Sequence, residues 1–595
     1  MVSTTTAGRG IALFATACLL SVALPANVAL AQKVKNKGTA AEAAPLSSYE
    51  LSIPEIETLD SNVDDETLRD IFSGQLVDNA EALAGLDAAS ITIPEIILDV
   101  TTEVDGETRD TTMTFNNFVM NDVVDGRAAS VSLGGVAMDA GEEGSADFGE
   151  LSATNFDIAG MLALYGLVES DGSTELKTIY SDFTFEGGTF EAPEMSCTMG
   201  AMEVGELKAR PLGSSFADAY ALLSSLEEDE TPSPQVMGAL VRLYADMFTA
   251  FETTPATFDG FDCSGEEDGK PMSFSIAGMS MGGMSPGVYP EVSMDGFVVD
   301  VEGEGSFTLG NVTIKQMDLS GPLAVLQDAP EVLDEAWFTE NARALIPAFE
   351  GFSFSDFSMD IPDPEMEGNR IVASVGSFDL TLGSYLNGMP TDVATSAENI
   401  VFDLPADTED EQLQQLIDLG ITSIDTGFTF NAAWSEAEET IAIEELSITG
   451  ADLATVVLSG TLANATEALF SADENEGLAA TMALAIRNLT LDVHDEGLSD
   501  IILASVAADQ GSDPATMRPV FAGLAEGSII SVLAGAAEAQ KVGAAVSSFV
   551  SGKAKHLAID MTAKDAAGIG LVDFMAAEQD PSVLVSKVVV DATAK

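Results

Sequence analysis

An eight-residue spacing, Φ-x-Φ-x-x-Φ-x-Φ with Φ an apolar or small residue, constrains this chain more than any other feature. It begins at Ile91, Met113, Val131, Ala146, Met202, Ala256 and Phe274, and again at Val292, Phe307, Phe352, Ala373, Ile441 and Leu484. Alternation at period two is the pattern of a strand with one buried face. The extra residue at the centre would turn the second apolar pair to the wrong face unless a bulge or a tight turn restores the register. The central pairs suit either device: Asn116-Asn117, Gly134-Gly135, Asp259-Gly260, Asp295-Gly296 and Gly310-Asn311 all tolerate positive φ. The spacing therefore predicts bent antiparallel strands, with hairpin tips as the alternative at the Asp-Gly sites.

The motif starts at 113, 131 and 146 are 18 and 15 residues apart, and those at 274, 292 and 307 repeat the same intervals. This predicts an internal duplication near 110–160 and 270–320. Helical spacing of apolar residues appears at 215–227, 234–252 and 331–346. The C-terminal region is Ala-rich. It predicts helices near 498–508, 514–525 and 528–550, then strands near 556–562 and 585–592 around a helix at 569–577. The expected fold class is α+β: a β-rich, curved, mostly antiparallel sheet of repeated bent strands with helical insertions and an Ala-rich α/β C-terminal part. The expected division is 1–31, a signal peptide; 32–46, a linker; 47–230 and 231–470, two strand-rich repeat regions with helices; and 471–595, the Ala-rich region.

The signal-peptide expectation rests on Arg9, the apolar or small run from Ile11 to Leu24, Pro25, and then Ala29-Leu30-Ala31, which places cleavage between Ala31 and Gln32. The run is shorter than the roughly 20 apolar residues of a membrane span. Export to the periplasm of a Gram-negative bacterium is the expected destination, and no later stretch predicts a transmembrane segment. The formal net charge is −75, and residues 541–595 are balanced, so the excess lies upstream. A field of that sign repels nucleic acid and anionic headgroups, so no nucleic-acid partner is expected. Beyond the signal segment only Cys197 and Cys263 remain, and two cysteines in an oxidising compartment predict one disulfide.

The residues of catalysis are mostly missing. Gly278-Met279-Ser280-Met281-Gly282 matches the G-x-S-x-G elbow of serine hydrolases, but Pro286, Gly287 and Pro290 follow where a helix is needed. Ser280 is therefore expected on a strand without a catalytic role. The two histidines, His494 and His556, lack metal-ligand spacing, and His494 is expected in a surface turn. Asp60-Ser61-Asn62-Val63-Asp64 opens like a calcium loop, but Asp65 and Ile71 occupy the positions that need Gly and Glu. No cofactor, no metal site and no enzymatic activity are expected.

The strand phrases Phe307-Thr-Leu-Gly-Asn-Val-Thr-Ile314 and Ile441-Ala-Ile-Glu-Glu-Leu-Ser-Ile448 resemble those of AsmA-like envelope proteins of Gram-negative bacteria. The resemblance implies a long curled sheet with an apolar groove and a part in lipid traffic, and it covers scattered strands only. The functional expectation is a non-enzymatic exported envelope protein that binds a lipid or another apolar ligand, or an envelope protein. Its apolar ligand face is expected at Phe115, Phe118, Phe274, Met279, Phe297, Phe354 and Phe357, since Phe and Met make adaptable apolar walls. The alternative is an acidic structural or protein-interaction module with no ligand. A serine hydrolase using Ser280 is a distant third.

Overall fold

The computed structural model describes residues 47–595 apart from short stretches at 105–106, 170–171, 214–221, 223–232, 268, 365–367, 406–407, 409–410, 534–535, 579 and 581. The signal segment, the Ala31/Gln32 cleavage pair, the 32–46 linker and most of the helix expected at 215–227 lie outside the described residues. The chain is strand-rich, with curved, mostly antiparallel sheet and helical insertions. It divides into two compact units, Met1–Pro290 with Leu323–Thr339, and Glu291–Pro322 with Glu340–Lys595. The division falls at Pro290, inside the region expected to run from 231 to 470.

In the first unit the bent strands follow the motif closely. Ala88–Val104, Glu107–Val124 and Arg127–Asp139 pair in succession. Further on, the bend is sharp enough to split a motif into two strands. The first half of Ala146/Phe148/Leu151/Ala153 lies on Ser145–Phe148 and the second on Leu151–Asp157, and both pair with Arg127–Asp139. Ala256/Phe258/Phe261/Cys263 splits in the same way, between Ala256–Phe258 and Phe261–Glu267. The core sits where the first two strands meet the helix Asp65–Phe72: Leu68 and Ile71 of the helix pack with Ile91, Ile93, Met120 and Val123. Cys197 and Cys263 face each other on Met195–Met199 and Phe261–Glu267, with Cα atoms 4.0 Å apart and the sulfurs bonded.

The second unit is built around a meander of eleven strands: β1 (Val292–Val301), β2 (Gly305–Ile314), β3 (Gly351–Pro362), β4 (Arg370–Leu386), β5 (Met389–Asp403), β6 (Ser423–Ser435), β7 (Thr440–Gly450), β8 (Ala454–Ala463), β9 (Ala485–Asp495), β10 (His556–Ala563) and β11 (Val588–Ala594). Each pairs antiparallel with the next. Helices are inserted between strands, at Glu411–Asp418 between β5 and β6, and at Leu498–Asp509, Pro514–Val532 and Ala539–Val550 between β9 and β10. The helix expected at 514–525 runs on to Val532, and the one expected at 528–550 begins at Ala539.

Several motif centres are kinks at which the ladder skips one position without changing register. Asn117 and Asp356 adopt φ near +50° there, as does Asn399 on the strand beside the Gly376 centre, and Gly296 and Gly260 are also positive. In three places the neighbouring strand answers with a glycine. A Cβ on Gly134 would stand 3.2 Å from Cβ of Asn117, one on Gly310 2.8 Å from that of Asp356, and one on Gly376 3.0 Å from that of Asn399. A left-handed Asn or Asp leans over its neighbour, so the neighbour must be small.

The hairpin alternative fails at both Asp-Gly sites. Pairing runs straight through Asp295-Gly296, with Asp295 opposite Asn311 and Phe297 opposite Leu309. Asp259-Gly260 only breaks a bent strand. The two-residue turns lie at Asp125-Gly126 and Asn387-Gly388, where both residues have positive φ as a type I′ hairpin requires. The expected duplication also reads differently. Its first block belongs to the first unit, and its second block straddles the boundary at Pro290. The repeated intervals are step lengths along a run of strands in each block.

Candidate functional site

Because side chains alternate along a strand, the meander of the second unit has two chemically distinct faces. On one, apolar residues form two adjacent ladders in continuous register. The first runs Phe354, Phe378, Ala397, Phe428, Ile448, Val456, Val493 and Leu557 from β3 to β10. The second runs Phe352, Leu380, Thr395, Phe430, Leu446, Leu458, Leu491 and Ile559 across the same strands. The opposite face carries Ser353, Asp379, Ser396, Thr429, Ser447, Val457, Asp492 and Ala558 at the intervening positions, and so is mostly polar from β3 to β7.

The ladders are covered at one end and open at the other. At β10 and β11 the helix Ala539–Val550 packs on the sheet, and Leu557 and Ala592 are 6% and 2% exposed. Across β3 to β8 the same face is open: Phe352 and Phe428 are each 37% exposed, Leu446 40% and Ile448 62%. Aromatic rings stiffen this wall. Phe354 and Phe352 stack on Phe378 at 5.3 and 5.2 Å, and Phe297, Phe307 and Phe357 form an edge-to-face chain.

The seven residues expected to form one ligand face are divided between the two units. Phe115, Phe118, Phe274 and Met279 belong to the first unit, and Phe297, Phe354 and Phe357 to the second. Phe118 is core: its ring packs edge-on against Phe72 of the helix Asp65–Phe72 at 5.4 Å. Phe115 and Phe274 are half-buried, with Phe274 opposite Cys263, while Met279 is exposed. Residues not singled out from the sequence, Phe428, Leu446, Ile448 and Val456, make most of the open wall. Leu446 and Ile448 belong to a recognised motif, but burial differs from strand to strand, and motif membership does not encode it.

The other sequence candidates resolve by their contacts. Ser280 lies on the short strand Gly278–Met281, opposite Thr257, not at a strand-to-helix elbow. In the calcium-like loop the polar groups already serve the fold. Asp64 caps the helix Asp65–Phe72 by accepting from the Thr67 amide, and this bond with that from the Thr67 hydroxyl holds its carboxyl below the usual range. Asn62 binds the backbone of Gly85 and Asp87. A hollow of about 370 Å³ in the first unit is lined by Arg127, Arg210 and Lys177, but Arg127 is paired with Asp157 and Arg210 with Asp246.

The histidines differ most from expectation. His494 is not in a turn but on β9, directly opposite His556 on β10. Their rings stack 4.1 Å apart, and the two Nε2 atoms contact opposite oxygens of Asp492, at 3.1 and 2.7 Å. Just beyond them Asp495, the last residue of β9, is buried. Burial alone would raise its pKa, but hydrogen bonds from Lys555 and from the Ser499 hydroxyl and amide outweigh it and bring it down to about 2. That carboxylate anchors the first turn of the helix Leu498–Asp509.

No described helix is long and apolar enough to cross a membrane. No curated protein and no solved structure matches the chain. A family model described as an uncharacterized protein matches residues 447–595, from β7 to the last residue.

Proposed function

We propose that this chain is a non-enzymatic, exported envelope protein that holds the acyl chain of a lipid against the open apolar face of the second unit's sheet. The observation that carries the reading is the exposure of Ile448, Leu446 and Phe428 in the middle of ladders that are buried further along, at β10 and β11. Large contiguous apolar patches on a protein surface mark interaction sites. The open part spans six strands, or about 24 Å at roughly 4.8 Å per step. That exceeds the approximately 15 Å depth of one membrane leaflet, half of a hydrocarbon core of about 30 Å, so an extended acyl chain fits along it. Burial contributes about 0.8 kcal/mol per methylene. The wall offers Phe, Leu, Ile and Val and few polar anchors, which suits a flexible hydrocarbon better than a rigid polar ligand.

The signal-peptide pattern supports export, and the Gram-negative periplasm is the compartment in which a shielded acyl chain has an aqueous gap to cross. The competing reading, an acidic interaction module with no ligand, is favoured by the net charge of −75. Organic extraction of natively purified protein followed by mass spectrometry separates them. Acyl lipid near one per chain is the expected result. Lipid-free protein from several preparations in lipid-sparing buffer would leave the interaction module.

A further inference from the structure

The geometry points to a divalent transition-metal site, of zinc-binding type, formed by Asp492, His494 and His556 on the polar face of the second unit, opposite the apolar ladders. These are the chain's only two histidines, and the fold places them in register on adjacent strands although 62 residues separate them. Asp492 lies two residues before His494 and so projects from the same face. The residue opposite Asp492 is Ala558, whose small side chain leaves the space above the carboxylate open. One ligand atom from each of the three residues lies within 4.8 Å of the others. Tetrahedral coordination at about 2.0–2.2 Å needs ligand atoms about 3.3 Å apart, so small side-chain rotations suffice.

The donor set selects the ion. Two imidazole nitrogens and one carboxylate suit zinc, nickel or copper, whereas calcium and magnesium require oxygen ligands. The side chains of His494, Asp492 and His556 are 51%, 31% and 27% exposed, which gives an ion a path in and leaves a coordination position facing solvent. An ion here would be held by the two Nε2 lone pairs and the Asp492 carboxylate, which requires both rings to carry their proton on Nδ1. The nearby Lys555 is engaged by Asp495 and does not neutralise Asp492. The ion would clamp β9 to β10 at the base of the helical insertion Leu498–Val550, and all three ligands lie within the segment matched by the family model.

The test uses the full untagged chain, labelled with ¹³C-histidine, in which only two sets of ring resonances exist. Adding zinc chloride is expected to move both sets together and to saturate at one ion per chain, while calcium chloride at the same concentration leaves them in place. Asp492→Asn is expected to weaken zinc binding at least tenfold, and in His494→Gln the remaining His556 signal is expected not to follow zinc. The proposal is overturned if excess zinc moves neither ring or only one, or if calcium reproduces the shifts. Because the first measurement needs no variant, misfolding of a mutant cannot rescue or sink it, and neither outcome bears on lipid binding at the opposite face.

Discussion

Gly310 and Asp356 share one kink from adjacent strands. The left-handed backbone of Asp356, φ +52°, brings its Cβ to 2.8 Å from where a Cβ on Gly310 would stand. A Cβ cannot rotate out of the way, so Gly310→Ala must displace backbone and is expected to cost about 1–3 kcal/mol in urea unfolding. Gly321→Ala is the control: nothing lies within 4 Å of its added methyl and it sits in the helix Ser320–Gln327, so it is expected to leave stability unchanged or raise it by up to about 1 kcal/mol. An equal loss in both variants would contradict the account of the kink. At Asp495, Asp495→Ala removes the acceptor for the Ser499 amide and hydroxyl and for Lys555. A loss of about 1–2 kcal/mol is expected, with helical circular dichroism falling before the sheet signal on heating. The glycines and Asn/Asp at the motif centres were legible in the sequence as bend residues. Their pairing across strands was not, because it depends on register.

At the scale of elements, the disulfide joins Met195–Met199 to Phe261–Glu267 and closes a loop of 66 residues. The chain-entropy relation gives about 4 kcal/mol for a loop of that length. Reduction, or the double change Cys197→Ser with Cys263→Ser, is therefore expected to lower the unfolding midpoint of the first unit by several degrees. No change in midpoint would show that the unfolded chain gains little from losing the link. The strands themselves were legible because a period-two pattern with one inserted residue has few structural solutions, and the curved antiparallel sheet follows from it. The choice at Asp295-Gly296 between a hairpin tip and a kink in a continuous ladder was not legible, since both use the same residues. The histidine pair was hidden for a topological reason. His494 and His556 meet only because three helices are inserted between β9 and β10 and return the chain to the neighbouring strand. No local spacing records that return.

At the scale of the whole molecule, a net charge of −75 opposes compaction by self-repulsion. Raising sodium chloride from about 20 mM to about 0.3 M shortens the Debye length from above 20 Å to below 8 Å, so the thermal midpoint is expected to rise with salt. A midpoint that falls or stays flat would mean that local ion pairs outweigh the field. Ile448 and Phe428 reach solvent on the open face across β3 to β8, so both can be changed to Asp without disturbing a core. The most direct measurement is titration of the wild-type chain, Ile448→Asp and Phe428→Asp with an intrinsically fluorescent fatty acid, with melting temperature followed in parallel. Saturable binding near one per chain is expected in wild type, weakened at least tenfold in both variants at unchanged melting temperature. Absence of saturable binding in wild type, or equal affinity in all three proteins, would contradict acyl-chain binding at this face.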